Sequence, residues 1–124
     1  MLVKLVISTI AILMLSTVQA ASAPASVAIV VQPKTIHEKI DFYAEKHNVS
    51  AEIISKVINC ESSFNPNAVG DNGHSRGLVQ IYDDYHPEVT HEQAFNEDFA
   101  IEFLAKKLAK GQGHLWTCYR KYYD

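Results

Sequence analysis

The run Glu61-Ser62-Ser63-Phe64-Asn65-Pro66-Asn67-Ala68-Val69-Gly70-Asp71-Asn72-Gly73-His74-Ser75-Arg76-Gly77-Leu78-Val79-Gln80-Ile81 begins on a carboxylate and passes at once into residues that break helices. Residues 64–76 are rich in Asn, Gly, Pro and Asp, which predicts a loop or an irregular hairpin. Gly77 to Tyr82 (GLVQIY) is a short apolar run. Upstream, Ser50 can cap a helix, and Glu52 in its first turn suits the positive end of the helix dipole. The apolar stripe of that helix is Ile53, Ile54, Val57 and Ile58. Three residues beyond Ile58 and four beyond Val57 stands Glu61, so the carboxylate falls on the core-facing line in the last turn. Buried carboxylates are rare unless paired or functional, and the helix C-terminus disfavours negative charge. Desolvation and dipole both favour the protonated form, which is what a general acid needs. Position alone also fits a glutamate at a frayed helix end that points to water or to a neighbouring lysine.

Working outward, the pattern is mainly helical. Thr35-Ile-His-Glu38 is a capping box, so a helix begins there with Ile36, Ile40, Tyr43 and Ala44 on one face and Asn48 at its end. Thr90-His-Glu-Gln93 is a second capping box. It is expected to open the longest helix, running to about Lys110, with Ala94, Glu97, Ile101, Leu104 and Leu108 in line and Gly111 and Gly113 as its stop. An aromatic segment, Leu115 to Tyr123, closes the chain. No internal repeat is visible.

The 124 residues make one domain at most. Residues 1–20 read as a secretory signal peptide: Lys4, an apolar core from Leu5 to Val18, then small residues with cleavage at 20/21 or 23/24. The apolar core is short for a membrane span, and an uncleaved anchor is the alternative. Residues 21–34 read as a linker and 35–124 as the domain. Removing residues 1–20 takes away Lys4 and no acidic residue, so the formal charge moves from −3 one unit further negative. That balance argues against nucleic acid and against an anionic membrane surface; any membrane contact would run through an uncleaved signal segment. Export makes a Cys60–Cys118 disulfide the default expectation, closing most of the domain into one loop. The expected location is periplasmic or extracellular, and the expected state is a monomer.

The segment from Glu61 to Ile81 closely resembles the signature of the soluble lytic transglycosylase (SLT) domain of the lysozyme superfamily. That signature has a helix ending in E-S, an aromatic, N-P-x-A, a Gly-rich turn and G-L-[MFV]-Q-I. The resemblance extends over roughly residues 35–124. It implies a lysozyme-like small helical domain with a short irregular hairpin beside the active cleft. It also implies peptidoglycan glycan strands as partner and no cofactor. Glu61 matches the catalytic acid/base, which would protonate the MurNAc–GlcNAc bond and then deprotonate the muramic 6-hydroxyl to close a 1,6-anhydro ring. Gln80 matches the glutamine lining the sugar cleft. Ser75 or Asp71 would sit in the turn near the reacting sugar, and Tyr82 falls where the family often has a Met shaping that subsite. Phe64 is expected to pack the turn onto the core, and Trp116 reads as a core residue, with a sugar platform as the alternative.

Two departures stand out. Many members carry A-Y-N after the long helix, with a Tyr near the catalytic Glu; this chain has no A-Y-N. Tyr119, Tyr122 and Tyr123 are the substitutes, Tyr119 first because Cys118 would tether it near Glu61. The domain is also short at its C-terminus. A hydrolytic lysozyme on the same polymer is the alternative outcome, and it usually needs a second carboxylate, for which Asp71, Asp83 and Asp84 are the candidates. A catalytically weak wall-binding or morphogenesis factor is the alternative from another class. His86, His91 and Glu92 come closest to a ligand cluster, but a proline and a helix cap separate them, so no metal site is expected.

Overall fold

The computed structural model describes residues 18–26, 28–29 and 35–124. The chain divides into two units, residues 1–30 and 31–124. Residues 1–17, which hold the charged start and most of the apolar core of the expected signal, lie outside the described residues, as do 27 and 30–34 of the expected linker. Residues 18–26 and 28–29 carry no regular secondary structure. No helix among the described residues is long and apolar enough to cross a membrane.

The second unit is mainly helical, with one small sheet. Helix α1 (Ile36–His47) opens on the expected capping box, with the Thr35 hydroxyl accepting from Glu38 N–H and the Glu38 carboxylate accepting from Thr35 N–H. It ends at Asn48, which takes the left-handed conformation at φ 53°. Helix α2 (Ala51–Ser62) is capped by Ser50 and buries Ile54, Val57 and Ile58. Its C-cap, Ser63, is also left-handed.

The second capping box behaves differently from the expectation of one long helix. Thr90 and Gln93 cap a five-residue helix, α3 (His91–Phe95), which stops at Asn96. Asn96 has extended backbone, and its side chain accepts from Phe99 N–H, so it starts α4 (Glu97–Ala109) afresh. Asparagine offers the backbone a local alternative to helix, and here that alternative prevails over the continuous apolar periodicity. Glu97, expected on the apolar line, instead pairs at 2.8 Å with Lys39 of α1. The core is nevertheless α4's: Ala100, Ile101, Leu104 and Ala105 are fully buried. Helices α1 and α4 are zipped by charge, Lys39 reaching Glu97 and Asp98, and Lys46 and His47 both reaching Glu102.

The sheet is three two-residue strands in antiparallel order: β1 (Val69–Gly70), β2 (Ser75–Arg76) and β3 (Ile81–Tyr82), with Gly70 opposite Ser75 and Ser75 opposite Tyr82. Gly77 has φ +77°, and a Cβ there would stand 1.8 Å from the Ala94 carbonyl oxygen. Only glycine lets the hairpin approach α3 so closely. After α4 the chain passes through a 3₁₀ turn (Gly113–Leu115) into α5 (Thr117–Tyr123). The expected disulfide is present: Cys60 in the last turn of α2 is joined to Cys118 in the first turn of α5. Trp116 is 5 % exposed, and its Nε1 donates to the Val79 carbonyl at 2.7 Å, so it belongs to the core as expected.

Candidate active site

Glu61 is held where the regular part of the chain ends. The Ser62 hydroxyl bonds both the Ile58 carbonyl (3.1 Å) and the Leu78 carbonyl (2.8 Å), which ties the last turn of α2 to the apolar run below it. Ser63 and Phe64 then follow with consecutive positive φ of 51° and 61°, which throw the chain away from the helix axis. Phe64 packs against the core, and its ring lies 4.8 Å from that of His37 on α1. The carboxyl of Glu61 is left half-buried at the edge of a cleft of roughly 470 Å³.

The hairpin supplies one wall of that cleft. Asp71 and Asn72 both have positive φ, and the Ser75 hydroxyl, on a 2 % exposed residue, donates to the Asp71 carboxylate. Gln80 also has positive φ (48°), and its Nε2 donates to the carbonyls of Ala68 (3.2 Å) and Gly77 (3.0 Å). Its Oε1 lies 2.5 Å from where a Cβ on Gly70 would stand, so Gly70 makes room for it. Tyr82 completes this wall, its ring between those of His74 (5.8 Å) and Tyr85 (5.0 Å). Glu61, Asp71, Ser75, Gln80 and Tyr82, all expected near a substrate, therefore line one cleft. The opposite lining comes from Leu115, Trp116 and Thr117, with Tyr85 and His86 from the segment after β3. Of helices α1 and α2 only Glu61 contributes lining, and the opposite side is supplied by Leu115, Trp116 and Thr117, the first residue of α5.

The Transglycosylase SLT domain family matches residues 38–122, most of the chain. The chain belongs to this family. No curated protein and no solved structure matches it.

Within this SLT domain the electrostatics single out Glu61. Its pKa is raised, first by burial and further by the negative charge of Asp71; the Cys118 N–H, donating to Oε1 at 3.3 Å, and Arg120 pull the other way. Desolvation wins, so the carboxyl keeps its proton to higher pH than an ordinary glutamate. Both opposing groups come from α5, which the disulfide fixes one residue away from Glu61. Asp83 is different: Arg76 and His74 hold its carboxyl down at about 2. His74 is correspondingly raised by Asp83.

Tyr119, the first candidate to replace the missing A-Y-N tyrosine, is not among the residues lining the cleft. Its ring fills the space over Gly113, where a Cβ would fall 2.6 Å from it, and it packs 5.0 Å from Tyr123. The tether through Cys118 acts instead through the backbone: the N–H of Cys118, not the phenol beside it, reaches Glu61. Of the second-carboxylate candidates, Asp71 lines the cleft, whereas Asp83 braces β2 through Arg76 at 2.9 Å and His74 at 2.9 Å. His74, Asp83 and Asp84 have ligand atoms within 4.8 Å of one another, a grouping that arises only when β2 and β3 pair. The histidines weighed for metal on sequence grounds were others. With Asp83 bound by both Arg76 and His74, this exposed group reads as a strut of the hairpin.

Ile81, Tyr85, His86, Leu115 and Thr117 are the lining residues that sequence reasoning missed. The signal available for Tyr85 was its place three residues beyond Tyr82 in a turn segment. For Leu115 and Thr117 there was none, because only the bridge and Trp116 bring that stretch to Glu61.

Proposed function

We propose that this SLT domain is a lytic transglycosylase that cuts peptidoglycan glycan strands between MurNAc and GlcNAc, with Glu61 as its single acid and base. The observation that carries the reading is a half-buried carboxyl, its pKa raised by desolvation, on the edge of a cleft that polar side chains help to line. With Oε1 accepting the Cys118 N–H, Oε2 is left to carry the proton. Glu61 gives that proton to the oxygen leaving C1 of MurNAc. The resulting carboxylate then takes the proton of the muramic 6-hydroxyl as that oxygen attacks C1, closing the 1,6-anhydro ring and restoring the acid. No second carboxylate is required, because the nucleophile belongs to the substrate. Ser75, Gln80 and Tyr82 line the sugar path, and Asp71, tied to Ser75, lines it beside them. The protein acts outside the cytoplasm, in the periplasm or beyond, which the disulfide supports.

One observation favours a hydrolytic lysozyme as the second reading: Asp71 shares the cleft, and its charge acts on Glu61. Digestion of purified peptidoglycan, with mass spectrometry of the soluble muropeptides, separates the two. Anhydro ends are the expected product. Reducing ends that disappear in Asp71→Asn would replace the transglycosylase reading with the hydrolase.

A further inference from the structure

The two halves of the Cys60–Cys118 bridge flank the acid, one along the chain and one across space. Cys60 is the residue before Glu61 in the last turn of α2. Cys118 is the residue whose backbone N–H donates to Glu61 Oε1 at 3.3 Å. The bridge brings the Cα atoms of the two cysteines to 5.9 Å across a sequence separation of 58. Thr117, next to Cys118, lines the cleft. Arg120 donates to the His114 carbonyl (2.6 Å) and to the Thr117 hydroxyl (3.1 Å), so its guanidinium is tied to the same stretch. Where the first turn of α5 stands therefore decides where both the N–H and the guanidinium stand relative to Glu61.

A carboxyl that acts first as acid and then as base needs a fixed orientation and one oxygen reserved for the proton. An N–H on Oε1 supplies both: it leaves Oε2 to be protonated, and it favours the ionised form that follows proton transfer. A backbone donor so far along the chain can do this only where α5 is held. The other groups that share the cleft are fixed without the bridge. Asp71 is tied to Ser75 in the hairpin, Tyr82 lies in β3, and Tyr85 and His86 donate their N–H groups to the Tyr82 carbonyl. Trp116 is anchored on Val79. We propose that the bridge makes Cys118 a positioning residue: it holds the Cys118 N–H on Glu61 Oε1, and so sets the orientation of the carboxyl and how readily it ionises. This rests on the glycan-cleaving reading above, in which Glu61 is the acid, and adds to it the group that tunes that acid.

The test is a carbon NMR titration of the Glu61 carboxyl in the full chain, with Glu61→Gln identifying its signal, compared between the native protein and Cys60→Ala/Cys118→Ala. Without the tether the N–H and Arg120 retreat, while burial and the charge of Asp71 remain, so the midpoint should move to higher pH. The alkaline fall of muropeptide release should move with it, and the rate at the optimum should drop by about ten- to a hundredfold as the carboxyl loses its orientation. Leu104→Ala controls for lost stability: it opens the core under α4, lines no part of the cleft, and should leave the midpoint at its native value. Circular dichroism verifies folding. If the double alanine variant does not fold, Cys60→Ala/Cys118→Val, which refills part of the space of the sulfurs, takes its place. A midpoint that stays put or falls overturns the proposal, as does an equal rise in Leu104→Ala. The titration does not depend on turnover. Muropeptide release with an unmoved midpoint leaves the transglycosylase reading standing and this one fallen, and a raised midpoint in a chain whose native form releases nothing does the reverse.

Discussion

The two walls of the cleft are built in opposite ways. The first, from Glu61 to Tyr82, is one continuous piece of chain, shaped by positive-φ residues at 63, 64, 71, 72, 73, 77 and 80 and by local hydrogen bonds such as Gln80 to Gly77. The second, Leu115 to Thr117, comes from the far end of the sequence and is held by two long-range fixtures, the Cys60–Cys118 bridge and Trp116 on Val79. The first wall depends on backbone conformation and the second on covalent and core anchorage. The two meet at Glu61: its side chain rises from the first wall, and its Oε1 takes the N–H of Cys118, beside the second.

This contrast can be attacked from either side. The largest expected effect falls on the second wall. Cys60→Ala/Cys118→Ala opens a loop spanning a sequence separation of 58 residues. It should cost about 4 kcal/mol of folding free energy on the chain-entropy model, read by urea unfolding under oxidising conditions. A loss under about 1 kcal/mol would mean that Trp116 alone anchors this wall. Next comes the first wall. Gly77→Ala places a Cβ 1.8 Å from the Ala94 carbonyl oxygen at a positive φ, and about 3 kcal/mol should be lost. Because the damage is confined to the hairpin and α3, amide exchange should rise there before it rises in α5. Uniform loss of protection would erase the distinction between the walls.

The smallest effect lies at the meeting point. The folded-state pKa of Glu61 lies above its ordinary value of 4.5, so stability is fully present below that pH and declines as pH rises through the raised value. Glu61→Gln removes the penalty and should stabilise the domain at pH 8 by up to about 1 kcal/mol, after allowance for screening by water in the cleft. The gain should vanish at pH 4, and thermal melts at the two pH values read the difference. A gain that is larger at pH 4 would mean that the fold favours the ionised carboxyl instead. Activity should follow the same group, falling as pH rises through the raised pKa because the ionised carboxyl has no proton to give.

What is legible in the sequence divides along the same line. The first wall is readable because its determinants are local: the Ser50 cap, the helical stripe that ends on Glu61, and a turn-rich run between two apolar ones. Helical periodicity alone puts the Glu61 carboxylate on the core-facing line, and its half-burial follows from that placement. The break at Asn96 was missed because Ala94, Ile101 and Leu104 keep helical spacing across it, and periodicity registers faces rather than interruptions. The second wall is legible only as a pair of cysteines. That the bridge delivers a backbone N–H to Glu61, while the Tyr119 ring covers Gly113, depends on the direction in which α5 leaves Trp116. No local pattern encodes that direction. The grouping of His74, Asp83 and Asp84 was hidden for a related reason, since it forms only when β2 and β3 take their register.

Everything proposed for the cleft turns on Glu61 doing the chemistry. The rate of muropeptide release from purified peptidoglycan, compared between the native chain and Glu61→Gln with both shown to be folded and to bind the polymer, decides it. The native chain should release muropeptides, and the variant should be slower by about a hundred- to ten-thousandfold, the usual contribution of a general acid. Equal release by both proteins would take the acid's role away from Glu61.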